Sequence, residues 1–302
     1  MELRWPVWLA RRRAGVRLSR FGASAFQNST LAELAWQRAR HASTRWAVWG
    51  AVVGALVGVV AFAPASWLAG AVARATDQRL LLADAKGSVW AGDAQLILTG
   101  GVGSRDAAAL PGRLRWQIRP RVNGFDLVLH QACCIDREWA VQFKLVGFGR
   151  YQVALPARPQ ALGQWPAAWL AGLGTPFNTM QLGGTLRLAS NGMTLESVQG
   201  RWRVIGSLDA DLLGVSSRLS TLDTLGSYRF SVRGGASSND PAVLNLETLD
   251  GALRLSGSGQ LTGSRVRFRG EASAAEGQEA ALNNLLNIIG RRQGATSIIS
   301  IG

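Results

Sequence analysis

The sequence predicts a mainly β protein with a single N-terminal transmembrane helix, followed by a curved antiparallel β-meander with one or two short covering helices. Three observations support this fold class. Residues 46–73 contain no charged side chain, apolar residues alternate with arginine at period two along much of the remaining chain, and glycine-rich turn signals separate these stretches. The chain has 302 residues, 47% hydrophobic and 17% charged, and is therefore too apolar to be disordered.

A basic leader precedes the apolar stretch. Residues 1–45 hold nine arginines and two acidic residues, Glu2 and Glu33, and the net charge of the whole chain is +14. Basic segments beside a membrane helix stay in the cytoplasm, so we expect residues 1–45 to be cytoplasmic and the C-terminal portion to be periplasmic. A start site assigned too far upstream would leave the same pattern, and the sequence keeps this alternative open.

The uncharged stretch 46–73 is the predicted transmembrane helix, with a best span from Trp46 to about Trp67. It exceeds the roughly 20 residues that a helix needs to cross a bilayer. Pro64 is expected to kink the helix or to mark its last turn, because proline lacks the backbone N–H. Basic and aromatic residues near the two ends are the predicted anchors: Arg45, Trp46, Trp49, Trp67 and Arg74. A cleaved signal peptide is the alternative, but its apolar core would be only about 7–15 residues long.

Three glycines recur at every fourth position inside the predicted span. Gly50, Gly54 and Gly58 would share one helical face, where small residues let two helices approach closely. This spacing is typical of a surface that docks another membrane helix or a second copy of the same helix. Glycine is also frequent in transmembrane helices that do not associate.

Residues 74–302 are predicted to form one periplasmic β-rich domain. Alternation of apolar residues with arginine indicates strands around 113–119, 186–188, 202–204, 228–233, 253–255 and 265–269. Turns are expected between them at 123–124, 183–184, 191–192, 234–235, 250–251 and 257–259. We expect one continuous curved sheet, with two lobes at about 74–160 and 180–302 as the alternative, because no linker of distinct composition separates the halves.

Two segments interrupt the strand pattern with helical spacing. A short helix is expected to begin at Pro166, with Trp169 and Leu170 buried. Residues 279–289 place five apolar side chains on one helical face, and Gly290 ends the pattern, so this helix should cover the apolar side of the sheet. Residues 297–301 return as a final strand.

Residues that could carry catalysis or bind a metal are scarce in this sequence. His130 is the single histidine beyond the predicted membrane helix, and an isolated histidine on a strand is seldom a catalytic base. Two cysteines without further ligands cannot form a closed zinc site. Cys133 and Cys134 are adjacent, and the sequence leaves open whether they form a disulfide or remain thiols. We therefore expect no enzyme, no cofactor and no metal.

Rows of arginine on the predicted strands are candidates for contact with a partner. They could recognise acidic patches on another protein or lipid phosphates, and the residues in question are Arg113, Arg115, Arg201, Arg203, Arg265 and Arg267. A solvated polar sheet face is the plainer interpretation. Nucleic acid is not an expected partner, because basic and aromatic residues do not interleave as they do in RNA-binding modules.

The apolar side of the predicted sheet needs a cover. If the sheet curls, four tryptophans can form its core: Trp90, Trp116, Trp139 and Trp202. If it stays half-open, the same face would be a groove for acyl chains or for a strand of a partner. We expect the core.

Several segments of this sequence resemble a known family. They lie behind the single membrane helix, in order, at residues 87–94, 114–120, 166–170, 200–202, 249–253 and 285–290. The first reads Gly-Ser-Val-Trp-Ala-Gly-Asp-Ala and the second Leu-Arg-Trp-Gln-Ile-Arg-Pro. Together they resemble protein N of the bacterial type II secretion system, the general secretion pathway, over roughly residues 46–302. The leader is longer than the short cytoplasmic tail expected of that family.

The resemblance implies a bitopic inner-membrane accessory subunit of a machine that exports folded proteins from the periplasm through an outer-membrane secretin. Its implied partners are other type II secretion subunits, in the inner-membrane platform and at the secretin. An alternative is a periplasmic lipid-handling protein with a hydrophobic β-groove, because the Leu-x-Gly-x-Leu strand pattern also resembles AsmA-like proteins. Membrane association is expected, and both a lipid ligand and self-association stay open.

Overall fold

The computed structural model describes residues 44–147, 149–158, 160–198, 201–235, 240–262 and 265–302. The chain divides into two compact units, Met1–Val60 and Ala61–Gly302. In the first unit the described part is an apolar helix, α1, and the span Thr44–Ala61 is long and apolar enough to cross a membrane. The predicted basic leader, residues 1–45, lies almost wholly outside the described residues.

The second unit contains two antiparallel sheets of nine strands each. The first sheet comprises β1 (Leu80–Gly87), β2 (Ala91–Thr99), β3 (Ala107–Ala109), β4 (Leu114–Arg121), β5 (Gly124–Gln131), β6 (Ile135–Gly147), β7 (Arg150–Ala154), β10 (Thr194–Val198) and β11 (Arg201–Ile205). The second comprises β8 (Gly163–Pro166), β9 (Leu182–Ser190), β12 (Ser207–Ser217), β13 (Gly226–Arg233), β14 (Ala242–Gly251), β15 (Leu253–Thr262), β16 (Arg265–Ala274), β17 (Arg291–Gln293) and β18 (Thr296–Ile301).

The predicted mainly β, antiparallel meander is confirmed, since β4 to β7 and β12 to β16 each pair with their neighbours in chain order. The expectation of one continuous sheet is wrong. In chain order, β8 and β9 belong to the second sheet. The hairpin β10–β11 that follows belongs to the first sheet, since β10 pairs with β7. The chain then returns to the second sheet, where β12 pairs with β9. The two sheets therefore do not divide the chain at one point in the sequence.

The apolar helix is shorter than the predicted span 46–73. Pro64 is extended (φ −71°, ψ 148°), and the next helix, α2 (Ala65–Ala75), belongs to the second unit. Proline cannot donate the hydrogen bond that would continue the first helix, which explains the break. Ala65 is 1% exposed and packs with Ala94 and Trp116, so α2 covers the first sheet, and Trp67 lies on α2.

The largest core lies under the second sheet. Helix α4 (Glu279–Ile289) has the predicted bounds, and it buries Leu282, Leu285 and Leu286 against the sheet. The segment after Pro166 forms a 3-10 helix, Ala167–Leu173, in which Trp169 and Leu170 are half-buried rather than buried. The very short helix α3 (Phe177–Met180) follows it. The second sheet is therefore closed by helices, as the sequence indicates.

Two of the predicted turns lie inside strands instead. Residues 183–184 belong to β9, and residues 257–259 belong to the middle of β15. A Cβ atom at Gly257 or Gly259 would meet the ring of Phe268 at 2.5 and 2.9 Å, so these glycines make room for that ring on the neighbouring strand. Glycine within a strand often marks such a close approach rather than a turn.

Candidate functional site: arginine clusters and an apolar cavity

The arginines predicted to face a partner are distributed over both sheets. Arg113 precedes β4, Arg115 lies in β4 and Arg203 in β11, all in the first sheet, whereas Arg265 and Arg267 begin β16 in the second sheet. For Arg201 the structure describes the backbone position in β11 and not the side chain. The predicted residues thus do not form a single surface.

Two of these arginines are engaged within the first sheet. The guanidinium of Arg113 donates to the Asp84 carboxylate at 2.8 Å and also contacts Asp93, which links β1, β2 and the start of β4. Hydrogen bonds from Lys86 and Arg113 hold the pKa of Asp84 below its usual value. Arg203 in β11 pairs with Glu196 on the neighbouring strand. Such pairs align strands and leave these side chains less available to a partner.

Arg265 and Arg267 are exposed at the start of β16, and Arg269 follows them on the same strand face. Opposite Arg267 and Arg269 on β15 lie Gln260 and Ser258, which carry no charge. No ion pair involves these three arginines among the residues that the structure describes. They form a short positive row, which we call the β16 arginine row.

A buried charge cluster that the sequence patterns did not reveal lies in the second sheet. Asp211 in β12 is 1% exposed and accepts hydrogen bonds from Arg187 in β9 at 2.7 Å and from Arg229 in β13 at 2.7 and 3.1 Å. These three residues lie directly opposite one another in the strand register. The two guanidinium groups, Arg229 first, lower the pKa of Asp211.

An apolar cavity of about 520 Å³ lies within the second unit, between the first sheet, helix α2 and the first strands of the second sheet. Of its 16 lining residues, nine are leucine and four are tryptophan, and none is charged. Its lining includes Leu68 in α2, Leu127 and Leu129 in β5, and Leu186 and Leu188 in β9. Its volume lies in the range of about 300–1,000 Å³ that is typical of ligand pockets.

Few polar atoms border this cavity. Gln131 is 1% exposed, its amide donates to the Pro111 carbonyl at 3.2 Å, and its carbonyl accepts from the indole N–H of Trp165 at 3.3 Å. The indole Nε1 atoms of Trp139 and Trp169 are buried and make no hydrogen bond to any described residue. The accessible lining of the cavity is thus almost wholly hydrocarbon.

The apolar face of the first sheet continues beyond the cavity to an exposed end. Phe125 and Phe143 stack there with ring centroids 4.5 Å apart. Farther along the same face, Leu145, Tyr151 and Trp202 are 65%, 42% and 40% exposed, and the last two rings meet edge to face at 5.4 Å. Trp116 and Trp139 are core residues, as expected, and Trp90 is half-buried. The expectation of a buried Trp202 is wrong, since no described segment covers this strand end.

Cys133 and Cys134 form a disulfide in the turn between β5 and β6, which answers the question that the sequence left open. Cys134 is buried, and the residues beside this pair, Gln131 and Ile135, line the cavity. His130 lies opposite Arg115 in the register of β4 and β5. Among the described residues, no group of His, Cys, Asp and Glu is arranged to hold a metal ion.

The described part of the first unit holds most of the predicted anchor residues. Trp46 and Trp49 are 79% and 67% exposed on α1. A Cβ atom added at Gly50, Gly54 or Gly58 would meet no atom of a described residue within 4 Å, so no described segment packs on this glycine face. The anchor and docking roles of Arg45, Arg74 and these residues remain predictions.

The fold and the site define a class of protein: a mainly β, non-repetitive domain behind one helix that could cross a membrane, with an apolar cavity and an arginine-rich surface. A family model for protein N of the type II secretion system matches residues 78–298. The chain therefore belongs to the type II secretion system protein N family, as the resemblance implied. Searches of curated proteins and of solved structures found no significant match.

Proposed function

We propose that this chain is a bitopic inner-membrane accessory subunit of the type II secretion system, which supports the export of folded proteins through protein contacts. The observation that carries the proposal is the extent of the family match, which spans residues 78–298 and so nearly the whole two-sheet unit. Membership of this family supports an accessory role in secretion rather than an enzymatic one.

The proposed topology places residues 1–45 in the cytoplasm, α1 across the inner membrane and the two-sheet unit in the periplasm. The support is the apolar span Thr44–Ala61, together with the basic residues that precede it. A disulfide between Cys133 and Cys134 is compatible with an oxidising compartment.

We further propose that the β16 arginine row contacts an acidic surface of another secretion subunit, in the inner-membrane platform or at the secretin. Arg265 and Arg267 support this role better than Arg113 and Arg203, since the latter two pair with carboxylates of their own sheet. Arginine forms charge-assisted, often bidentate hydrogen bonds with carboxylates, which suits it to such recognition.

The accessory role is tested by deleting the gene in a strain that secretes a measurable exoprotein. We expect reduced release and accumulation of the folded exoprotein in the periplasm, restored by the full chain supplied in trans. Normal release from the deletion strain, combined with an altered distribution of envelope lipids, would favour the AsmA-like alternative instead.

The contact surface is tested with the double substitution Arg265→Glu and Arg267→Glu. We expect it to abolish cross-linking to platform or secretin subunits in intact envelopes, while the amount of the chain stays unchanged. Arg137→Glu, an exposed charge reversal in β6 of the first sheet, is the matched control. Equal cross-linking in both variants would remove the β16 arginine row from the proposal.

A further inference from the structure

We infer that the apolar cavity of the two-sheet unit holds an acyl chain of a membrane phospholipid. This inference rests on the proposed membrane anchor, whose own labelling on α1 is a separate readout, and it does not depend on the proposed role in secretion. It concerns the space bordered by Leu68, Trp116, Leu127, Trp139 and Leu186, and it rests on the size, chemistry and position of that space.

The volume and the lining of the cavity argue for an occupant. The cavity is half open to the surface, so its leucine and tryptophan side chains expose apolar surface, which is unfavourable in water. A space of about 520 Å³ with this lining offers ordered water almost no polar partners, and water needs two to four of them. An apolar ligand would cover this surface.

The chemistry of the lining favours an acyl chain over a peptide segment. A peptide in the cavity would bring backbone N–H and C=O groups, and the walls offer them almost no partners, so they would be buried unsatisfied. A hydrocarbon chain has no such groups. The lining also lacks any charge that would bind a small polar metabolite.

The position of the cavity along the chain indicates where its ligand comes from. Its wall begins at Leu68, only seven residues after Ala61, where the apolar span ends. Seven residues extend over at most about 25 Å, so a chain anchored through this span would hold Leu68 within that distance of the membrane. Phospholipid is the most abundant apolar material there.

The test uses the full chain in its own membrane. Cells are supplied with a fatty acid that carries a photoreactive diazirine and an alkyne and that is incorporated into phospholipids; after irradiation the chain is purified and the labelled peptides are mapped. We expect label on the peptide of residues 122–137, which contains Leu127 and Leu129, as well as on α1. The mass of the adduct should include the glycerophosphate headgroup.

Leu186→Trp is the cavity-filling variant, because Leu186 lines the cavity and lies outside that peptide. Replacing leucine by the larger indole should lower the label on residues 122–137 by at least about ten-fold relative to α1, a change that corresponds to only 1.4 kcal/mol of binding. Leu249→Trp, at a position of β14 that is 43% exposed, is the control for the added ring and should leave the label unchanged. Protease resistance of the two-sheet unit checks folding, and Leu127→Phe replaces the first variant if Leu186→Trp unfolds.

Three results would overturn the inference. One is label on α1 with none on residues 122–137. Another is unchanged label in a folded cavity-filling variant. The third is an adduct on residues 122–137 that contains only the free fatty acid.

Discussion

The two sheets of this protein are alike in strand number and different in how they are closed. Under the second sheet, eleven buried residues form one continuous cluster, completed by Leu282, Leu285 and Leu286 of α4. Buried residues of the first sheet belong instead to three separate clusters of three residues each, one of which includes Ala242 of the second sheet, and the cavity lies beside the other two. The second sheet is thus packed like an ordinary protein interior, whereas the first keeps apolar surface that none of the described residues covers.

This difference indicates a division of roles within one unit. A closed core provides rigidity, and a sheet that leaves apolar surface uncovered is suited to contact with other molecules. Large-to-small substitutions measure the difference, because their cost depends on how tightly the site was packed beforehand. The predictions below follow this comparison from the largest expected effect to the smallest.

Leu285→Ala in α4 should be the most damaging single substitution considered. Leu285 is 0% exposed in the closed core, so we expect a loss of about 3–4 kcal/mol in the free energy of unfolding. Leu127→Ala at the cavity should cost only about 1–2 kcal/mol, since part of its surroundings is already empty. Denaturant unfolding of the full chain compares the two, and equal losses would remove the distinction between the sheets.

Asp211→Ala should come next, because it leaves two guanidinium groups without their shared carboxylate. Arg187 and Arg229 are each about one-third exposed, so water can solvate part of their charge once the carboxylate is removed. We therefore expect a loss of about 2 kcal/mol in the free energy of unfolding. Asp84→Asn in the first sheet is the control, since that ion pair is exposed and its loss should have little effect. The same unfolding measurement checks both variants.

The acid limit of stability should depend on Asp211. Its pKa is lower in the folded chain than in the unfolded chain, so the stabilisation is present above the unfolded value of about 3.9 and is lost as the pH falls through the folded value. The melting temperature should therefore fall more steeply between about pH 5 and pH 2 in the wild type than in Asp211→Asn. If the melting temperatures of the two proteins fall equally with pH, Asp211 is not the group that sets the acid limit of stability.

The stability of the protein at alkaline pH should depend on Tyr228, which belongs to the closed core. Its hydroxyl donates to the Leu253 carbonyl at 3.0 Å, and burial raises its pKa. The sign is opposite to that of Asp211: stability is complete below the unfolded value of about 10 and decreases as the pH rises above it. In Tyr228→Phe, the free energy of unfolding should decrease less with rising pH above pH 10 than in the wild type. An equal decrease in both proteins, measured by denaturant unfolding, would contradict this role of Tyr228.

Trp202→Ala at the exposed end of the first sheet should have the smallest effect on stability. The side chain is 40% exposed and contacts Tyr151 by its edge, so we expect a loss of about 0.5–1.5 kcal/mol. Met180→Ala, at a buried position of the closed core, is the comparison and should cost more. Thermal unfolding of both variants measures the contrast.

Much of this fold could be predicted from local patterns. The period-two alternation gave the strands of the meander, and helical spacing ended by Gly290 gave α4 with its observed bounds. The end of α1 was less predictable, because hydropathy alone continues to Ala73 and does not reveal that Ala65 packs against Trp116. The glycines at 257–259 resemble a turn in sequence, and their role depends on Phe268 of the next strand.

The candidate site could be predicted only in part. Arg265 and Arg267 are exposed in the strand that their alternation indicates. The Asp211 cluster depends on the register of three strands, and the cavity depends on how two sheets and α2 meet, neither of which is encoded in local spacing. For the Asp211 cluster, the one signal in the sequence was an acidic residue in a predicted strand, with arginines in the strands before and after it. This signal is weak as long as the pairing of the three strands is unknown.

The central claim is that the two-sheet unit lies in the periplasm, tethered by a single membrane helix. The most direct measurement fuses one of two reporters after Gly302, the first active only in the periplasm and the second only in the cytosol. We expect activity from the periplasmic reporter alone. Activity from the cytosolic reporter alone would contradict the topology, the proposed contacts with secretion subunits and the role of the disulfide together.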